Sequence, residues 1–115
     1  MSKNQIKLEE KKGITIFRPE QEIVFENSNA FKEKTKKIIK KEGIEKIIID
    51  LKSVPYLDSS GVGFIISLLK FMRQKEGKMV ITNLNEKVKR VCELTKLDEV
   101  IDVYESIDRA VADLS

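Results

Sequence analysis

Apolar and polar residues follow two different periods along the chain, and these periods predict strands separated by helices. Residues Gln5–Lys11 and Ile14–Phe17 alternate apolar and polar positions on either side of Lys12-Gly13, a pattern typical of an antiparallel hairpin. Ile44–Leu51 contains three consecutive isoleucines. Such a β-branched run indicates a strand buried on both faces, as in a sheet covered by helices. This segment is the predicted central strand.

Further elements are predicted from helical spacing of apolar residues, from capping residues and from glycines at helix ends. In chain order they are a helix capped by Asn27 or Ser28, with Ala30, Phe31, Ile38 and Ile39 on its apolar side and Gly43 at its end; a helix over Val62–Met72, capped by Asp58, Ser59 or Ser60 and ended by Gly77; a strand at Lys78–Thr82; a helix over about Glu86–Thr95, capped by Asn83 or Asn85; a short strand at Val100–Val103; and a helix to about Leu114, capped by Ser106. The alternation predicts one α/β domain over residues 1–115, with about four helices and a mixed sheet of four or five strands that begins with an antiparallel hairpin.

The composition fits a small globular protein that is not an enzyme. The chain has 115 residues, of which 41% are hydrophobic and 36% charged, enough for one core without disulfides or metals. It has no histidine, which excludes a Ser-His-Asp triad, a Cys-His pair and a His-ligated metal. Cys92 lies in an apolar helical pattern, so we expect a buried and inert thiol. We expect no cofactor.

The charges do not indicate a polyanionic partner. The net charge is +3, from 22 Lys and Arg against 19 Asp and Glu, and the two signs are interspersed. The first predicted helix is rich in lysine, but Glu33 and Glu42 interrupt the run, so a solvated face is favoured over nucleic-acid or membrane binding. The N-terminal residues 1–12 show no apolar leader, and no stretch approaches the roughly 20 apolar residues of a membrane span. We therefore expect a cytoplasmic protein.

Small polar residues gather in Tyr56–Gly63, between the buried strand and the most apolar helix. The carboxyl end of a strand is where open α/β sheets bind ligands, and a helix N-terminus there favours a phosphoryl group. Local chemistry leaves two readings open. In one, Asp58–Ser60 cap the helix and the following glycines allow close packing. In the other, Ser59 is phosphorylated, which adds about −1.5 to −2 charges beside Asp58.

The chain resembles the STAS domain of bacterial single-domain anti-sigma factor antagonists in one long run, IIIDLKSVPYLDSSGVGFIISLLKFMRQKEGKMVITNLNEKVKRVCELTKLDEVIDVYES. The likeness comprises the apolar strand, the Asp-Ser-Ser-Gly-x-Gly loop, the Gly-Lys-x-x-Val-x strand and the Val-x-Arg-x-x-x-x-Thr-x-Leu helix. It spans residues 44–114 and, more loosely, the N-terminal hairpin. The resemblance implies a STAS-like fold.

The resemblance also implies partner switching at Ser59. In that family, the serine directly after the loop aspartate is phosphorylated by a serine kinase that is also an anti-sigma factor, and Ser59 holds this position. The unphosphorylated antagonist sequesters the anti-sigma factor and frees the sigma factor for transcription. A metal-dependent serine phosphatase resets the switch. We expect a monomer or a weak dimer.

The residues around Ser59 receive roles from this resemblance and from their chemistry. Asp58, Ser60 and Gly61 are expected to shape the phosphorylation loop. An exposed apolar docking surface is expected beside them, with burial in the core as the alternative for each of its members, Tyr56, Leu57 and Val62. A dianion in such a surface adds desolvation cost and repulsion, and ~1.4 kcal/mol already changes affinity tenfold.

The chain departs from the family before the first helix, and one alternative function stays open. Family members carry Gly-x-apolar-Asp there, whereas this chain has Glu20–Asn27, in which Glu22 and Glu26 are the candidates for the acidic position. The alternative is a STAS module that binds a nucleotide or another small anion at the helix N-terminus. The loop lacks the third glycine of a dinucleotide fingerprint and the lysine of a phosphate-binding loop, so this signal is weak. A serine-dependent enzyme would have only Asp58 or a lysine as its base.

Overall fold

The computed structural model describes residues 5–115; residues 1–4, the start of the N-terminal segment read above as free of a leader, lie outside the described part. Ten elements follow one another along the chain: β1 (Ile6–Lys11), β2 (Ile14–Pro19), α1 (Ser28–Glu42), β3 (Lys46–Asp50), α2 (Ser59–Gln74), β4 (Lys78–Thr82), α3 (Glu86–Leu94), a single 3₁₀ turn (Leu97–Glu99), β5 (Val103–Tyr104) and α4 (Ile107–Leu114). No helix in the described range is long and apolar enough to cross a lipid bilayer.

The strands form one mixed sheet of five, in the order β1-β2-β3-β4-β5. β1 and β2 pair in antiparallel fashion, while β2, β3, β4 and β5 run parallel to their neighbours. The hairpin between β1 and β2 closes at Lys12 and Gly13, whose φ angles of 51° and 79° are both left-handed. Such a two-residue turn matches the right-handed twist of the paired strands. The predicted mixed sheet with an N-terminal antiparallel hairpin is confirmed.

The isoleucine run of β3 separates two hydrophobic clusters, one on each face of the sheet. Ile47 and Ile49 belong to the larger cluster, beneath α1, α2 and α3. Ile48 belongs to the smaller cluster, which is completed by β2, β4 and α4 through Ile14, Ile16, Val80, Ala110, Val111 and Leu114. All three isoleucines are fully buried. The prediction of a central strand buried on both faces is therefore confirmed.

Several predicted boundaries and faces need correction. The strand expected at Val100–Val103 is only Val103–Tyr104, because the 3₁₀ turn at Leu97–Glu99 continues to Val100, whose N–H donates to the Leu97 carbonyl at 3.0 Å. Ala30 is exposed, and Thr35 takes a buried place on α1 instead. The α2 helix begins at Ser59 rather than at Val62, because the capping residue is Asp58.

Capping side chains settle two further choices that the sequence left open. Asn85, not Asn83, caps α3, since its Oδ1 accepts from the Val88 N–H at 2.8 Å. Ser106 caps α4 as predicted, with its Oγ accepting from the Arg109 N–H at 3.2 Å. Gly43 ends α1 in the left-handed conformation, with φ of 62°. The helix ends thus follow local capping chemistry.

Candidate functional site

The connection from β3 to α2, residues 51–58, is fastened to the neighbouring connection from β4 to α3. The Leu51 N–H donates to the Thr82 carbonyl at 2.9 Å, and the Val54 N–H turns back to the Leu51 carbonyl at 3.0 Å. The Asn85 amide nitrogen then donates to the carbonyls of Val54 and Pro55, both at 3.2 Å. These bonds give the start of the Ser59 loop a defined path.

A buried carboxylate, Asp50, ties together the carboxyl ends of β2, β3 and β4. Its Oδ2 accepts from Arg18 Nε at 2.7 Å, while its Oδ1 accepts from Asn83 Nδ2 at 2.9 Å and from Thr82 Oγ1 at 3.2 Å. Burial raises the pKa of Asp50, but the hydrogen bonds from Arg18, Asn83 and the Lys52 N–H outweigh it, so the pKa lies below its ordinary value. This network was not predicted from the sequence, although the aspartate at the end of the isoleucine strand is a signal for it.

Asp58 is the capping residue of α2, which decides among the three candidates that the sequence offered. Its Oδ1 accepts from the Ser60 N–H at 2.8 Å and from the Gly61 N–H at 3.1 Å. The Val62 N–H donates to the Asp58 carbonyl at 3.0 Å as the first helical bond. Most N–H groups of the first turn therefore already have acceptors, and a carboxylate stands beside them. That this helix end favours a phosphoryl group stays a prediction, since a phosphate on Ser59 would lie beside both the positive end of the helix and the Asp58 carboxylate.

The second oxygen of Asp58 reaches across to the segment between β2 and α1. Oδ2 accepts from the Phe25 N–H at 3.1 Å. Alongside it, the Ile23 N–H donates to the Tyr56 carbonyl at 3.1 Å, and Ile23 and Leu57 form an isolated parallel bridge. One aspartate thus caps α2 and holds the preceding segment against the Ser59 loop.

The segment that departs from the family pattern is organised by Asn27. The Asn27 Oδ1 accepts from the Val24 N–H at 2.9 Å, and its Nδ2 donates to the Glu22 carbonyl at 2.9 Å. Asn27, one of the two predicted caps, holds the N-cap position of α1, but its side chain makes no bond to the helix N–H groups. Within residues 5–115, the side chains of Glu22 and Glu26 form no hydrogen bond or ion pair. An amide therefore shapes this turn, and neither glutamate does.

Ser59 is the first residue of α2 and is exposed to solvent. Among the described residues, its hydroxyl makes no hydrogen bond, since the capping bonds use the carboxylate of Asp58. Ser60, the next residue, is partly buried. Among the described residues, the arrangement therefore presents an exposed hydroxyl without a hydrogen bond at the first residue of a capped helix.

The expectation of an exposed apolar surface holds for one of its three residues. Tyr56 is 42% exposed, whereas Leu57 is fully buried and Val62 is 5% exposed. The expectation is wrong for Leu57 because its bridge to Ile23 turns the side chain into the larger core. It is wrong for Val62 because the first turn of α2 directs that side chain into the same core. Burial in the core was the predicted alternative for both residues.

The packing around the loop requires glycine at position 61 and does not require it at position 63. A Cβ on Gly61 would lie 2.3 Å from the Ile23 carbonyl oxygen and 2.6 Å from Leu57 Cβ, so close packing requires glycine there. A Cβ on Gly63 would meet nothing within 4 Å. The expected packing role is therefore confirmed for Gly61 and wrong for Gly63, which lies exposed on α2.

Phe25, which the sequence analysis did not assign to the site, is its most exposed aromatic side chain. Phe25 is 75% exposed and stands at one end of a shallow groove between the first turns of α1 and α2. The groove has a volume of about 370 Å³ and is lined by Phe25, Ser28, Asn29, Lys32, Ser60, Gly63, Phe64 and Ser67. Among the described residues of this lining, the charged one is Lys32. An aromatic residue between polar residues just before a helix cap was the available signal.

The lysines farther along α1 lie against an aromatic ring. Lys36 and Lys40 place their Nζ atoms 5.4 and 5.8 Å from the centroid of the Phe71 ring on α2. These cation–π contacts hold the lysine stems along the helix pair. Cys92 is buried, as predicted, and burial raises the pKa of its thiol to about 11.

Comparison with known proteins gives consistent matches in sequence and in structure. Residues 5–110 match the family described as STAS domain. A candidate anti-sigma factor antagonist of Thermotoga maritima is 32% identical over 101 residues, which cover 88% of this chain and 89% of that protein. The anti-sigma F factor antagonist of Paenibacillus polymyxa is 28% identical over 110 residues, which cover 96% of this chain and 94% of that protein.

A solved structure gives the same result. The crystal structure of a candidate anti-sigma factor antagonist from Thermotoga maritima superimposes with a TM-score of 0.89 at 29% identity, covering 95% of this chain and 93% of that chain. The predicted architecture, a mixed sheet of four or five strands with about four helices, is confirmed by the five strands and four α-helices observed and by this neighbour.

Proposed function

Because this chain belongs to the STAS domain family, we propose that it is an anti-sigma factor antagonist whose affinity for its partner is controlled by phosphorylation of Ser59. The unphosphorylated chain binds an anti-sigma factor that is also a serine kinase, and so frees a sigma factor. Phosphorylation releases the anti-sigma factor, and a metal-dependent serine phosphatase restores the binding form. The chain acts as a cytoplasmic binding protein and not as an enzyme.

The observation that carries this proposal is the free hydroxyl of Ser59 beside an anchored Asp58. A kinase requires an accessible hydroxyl, and Ser59 is exposed and unbonded among the described residues. Asp58 holds the backbone on both sides of that hydroxyl through bonds to Gly61 and Phe25. The serine therefore sits on a fixed platform that a partner can recognise as one surface.

The same geometry explains why a phosphate would act as a strong signal. A phosphate on Ser59 carries about −1.5 to −2 charges. The N–H groups of Ser60 and Gly61 already donate to Asp58, so the new dianion meets a carboxylate instead of free donors. The negative charge of the phosphate is therefore not neutralised within the chain, and it acts on the partner that binds the unphosphorylated surface. A coupling of ~1.4 kcal/mol lowers affinity tenfold, so a modest penalty releases the partner.

We place the docking surface on Tyr56, Ser59, Phe25 and the groove between α1 and α2. Phe25 and Tyr56 are the large exposed side chains beside Ser59. Gly63 supports the groove as the point of contact, because glycine inside a helix costs about 0.5–1 kcal/mol relative to alanine and no neighbour in this chain requires it. The close approach of a partner's backbone to position 63 would explain why glycine is present there. Lys32 favours an acidic residue on that partner.

The alternative of a small anionic ligand at the α2 N-terminus receives no support from this geometry. Asp58 occupies the N–H groups that an anion needs, and its own charge repels an anion. The groove beside it offers a single cationic side chain, Lys32. Partner switching is therefore the function that the site supports best.

The test is affinity capture from the source organism's lysate with Ser59→Ala and Ser59→Asp baits. Ser53→Ala and Ser53→Asp are the matched controls, because Ser53 is an exposed serine on the same connection. We expect the Ser59→Ala bait and both Ser53 baits to retain a kinase-fold protein, identified by mass spectrometry. The Ser59→Asp bait should retain at least tenfold less of it. Equal retention by the two Ser59 baits would reject the switch, and calorimetry with a nucleotide panel would then examine the anion-binding alternative.

A further inference from the structure

Among residues 5–115, the outer side of β1, an edge of six residues, has no partner strand. In its pairing with β2, Lys7 lies opposite Arg18 and Glu9 opposite Ile16. The Glu20 N–H donates to the Gln5 carbonyl at 3.0 Å, which places the odd-numbered residues of β1 at the hydrogen-bonded positions. The backbone groups of Ile6, Leu8 and Glu10 therefore point outward. The opposite edge, β5, is only two residues long.

The side chains of β1 are exposed as well as its backbone. From Lys7 to Lys11 every residue is exposed, and Leu8, an apolar residue, is 50% exposed. Leu8 borders a cleft of about 740 Å³ between β1 and the end of α1, where Ile38 and Lys41 form the facing wall. Within the described chain, nothing covers this strip of leucine and backbone. An exposed strand edge of this kind is a template for pairing with another strand.

We propose that two copies of this chain pair through β1, in antiparallel fashion, about a two-fold axis at Leu8. In that register, Leu8 lies opposite the partner's Leu8, and Lys7 lies opposite the partner's Glu9. By symmetry, Glu9 lies opposite the partner's Lys7, so the two copies form two ion pairs, and each copy supplies one residue to each pair. The two five-stranded sheets become one continuous sheet of ten strands.

The charge sequence of β1 selects this register over its neighbours. Outward-facing residues must pair with outward-facing residues, so alternative registers move the symmetry axis to another position along the strand. An axis at Lys7 places Lys7 opposite its own copy, and an axis at Glu9 places Glu9 opposite its own copy. Like charges directly opposite destabilise a strand pair, whereas opposite charges stabilise it. The axis at Leu8 joins opposite charges and places the leucines together.

This pairing is independent of the proposed partner switch. It uses the backbone of β1, whereas the Ser59 surface is built from the β3–α2 connection and the segment after β2. The association is a weak one, because the strip is short and its lysines and glutamates also have partners in the same chain, Glu20 for Lys7 and Arg18 for Glu9. A dimer of this kind forms and dissociates with protein concentration.

The first experiment is sedimentation velocity of the full chain over a concentration series, with Leu8→Pro and Leu8→Ala compared. Proline at position 8 removes an outward N–H and leaves the bonds to β2 intact, a site where an edge strand tolerates proline. Leu8→Ala keeps the N–H. We expect a concentration-dependent dimer for the wild type, at least tenfold weaker association for Leu8→Pro, and an intermediate loss for Leu8→Ala. Circular dichroism melts show whether each variant is folded.

A charge exchange gives the second experiment and keeps the side chains of the strand polar. Lys7→Glu alone places two like-charged pairs across the axis, and Glu9→Lys alone does the same. Each single variant should weaken dimerisation about tenfold, and the double variant should restore it. Amide exchange should show concentration-dependent protection at Ile6, Leu8 and Glu10 and not at Lys7 or Glu9.

The results of these experiments distinguish pairing through β1 from a monomer and from a dimer that uses another surface. A wild-type chain that stays monomeric up to about 1 mM would overturn the proposal, because the dissociation constant of any dimer would then lie above that concentration. A dimer that Leu8→Pro and the charge variants leave unchanged would also overturn it and place the interface elsewhere. Capture of the kinase-fold partner by Leu8→Pro in the Ser59→Ala background should be unchanged, so failure of this proposal and failure of the partner switch are distinguishable.

Discussion

The Asp58 carboxylate and the Phe25 backbone are joined by a hydrogen bond of 3.1 Å, so the residue that caps α2 also fixes the exposed aromatic residue of the site. The same carboxylate accepts from the first turn of α2 through its other oxygen. The Asp58 side chain therefore connects the loop that carries Ser59 to the segment that carries Phe25.

Asp58→Ala should destabilise the protein and loosen Phe25 together. Loss of a helix cap costs about 1 kcal/mol, and loss of the bond to the Phe25 N–H adds to it, for a total of about 1–2 kcal/mol in urea unfolding. Hydrogen exchange at the Phe25 amide should accelerate. Ser106→Ala, which removes the α4 cap, is the control: it should lower stability without changing exchange at Phe25. Unchanged exchange in Asp58→Ala would contradict the bridging role.

Gly61→Ala and Gly63→Ala should change stability in opposite directions. The new Cβ at position 61 would lie 2.3 Å from the Ile23 carbonyl oxygen, so Gly61→Ala should cost about 1–3 kcal/mol. At position 63 the methyl group meets open space, and alanine is the better helix former by about 0.5–1 kcal/mol. Chemical denaturation of both variants measures the difference. A destabilised Gly63→Ala variant would show that the glycine has a structural role within this chain.

Phe25→Ser should weaken partner binding while leaving the fold intact. The Phe25 side chain is 75% exposed, so its removal has little effect on the core. An exposed aromatic anchor in an interface typically contributes about 2 kcal/mol or more, which corresponds to a loss of at least tenfold in affinity. Capture by the Ser59→Ala bait with and without Phe25→Ser measures this loss. Leu94→Ser, at another exposed apolar residue with 76% exposure, is the matched control and should leave capture unchanged.

Asp50→Asn should destabilise the protein strongly at neutral pH and less in acid. Both carboxylate oxygens accept hydrogen bonds, so the amide nitrogen of asparagine must face a donor such as Arg18 or Asn83. We expect the loss of this buried pair to lower the free energy of unfolding by about 2–4 kcal/mol. This range is below the usual cost of breaking a buried ion pair because the Arg18 side chain is 24% exposed.

The pH dependence of this effect follows from the lowered pKa of Asp50. A carboxyl whose folded pKa lies below its unfolded value, about 3.9, contributes stability that is present above that value. The contribution is lost as the pH falls through the folded pKa. The difference in unfolding free energy between wild type and Asp50→Asn should therefore shrink from pH 7 to about pH 3. An unchanged difference across that range would contradict a charged Asp50.

Cys92 should resist thiol reagents until the protein unfolds. Burial raises the pKa of its thiol to about 11, so almost none is thiolate at neutral pH. Reaction with a chromogenic disulfide reagent at pH 8 should be slow in buffer and complete within the mixing time in denaturant. Rapid reaction of the folded protein would show local opening of α3 on that timescale.

The repeating elements and their caps were predictable because they depend on neighbouring residues. The two-residue turn at Lys12 and Gly13, the strand at Lys78–Thr82 and the cap at Ser106 each follow from local steric or hydrogen-bonding preferences. The isoleucine run of β3 likewise predicted a strand that is buried on both faces of the sheet. The resemblance carried by the loop sequence predicted the family, which the match over residues 5–110 confirms, whereas the role of Ser59 stays a prediction.

The outward or inward direction of the residues around Ser59 was decided by tertiary structure alone. Leu57 is buried because it bridges to Ile23, a residue far away in the sequence, and Tyr56 and Phe25 are left exposed by the same pairing. The sequence therefore determined the order of the elements and the chemistry of the loop, through interactions between close neighbours. Only the packed chain decided which side chains form the surface beside Ser59, because that choice depends on contacts between segments that no local pattern records.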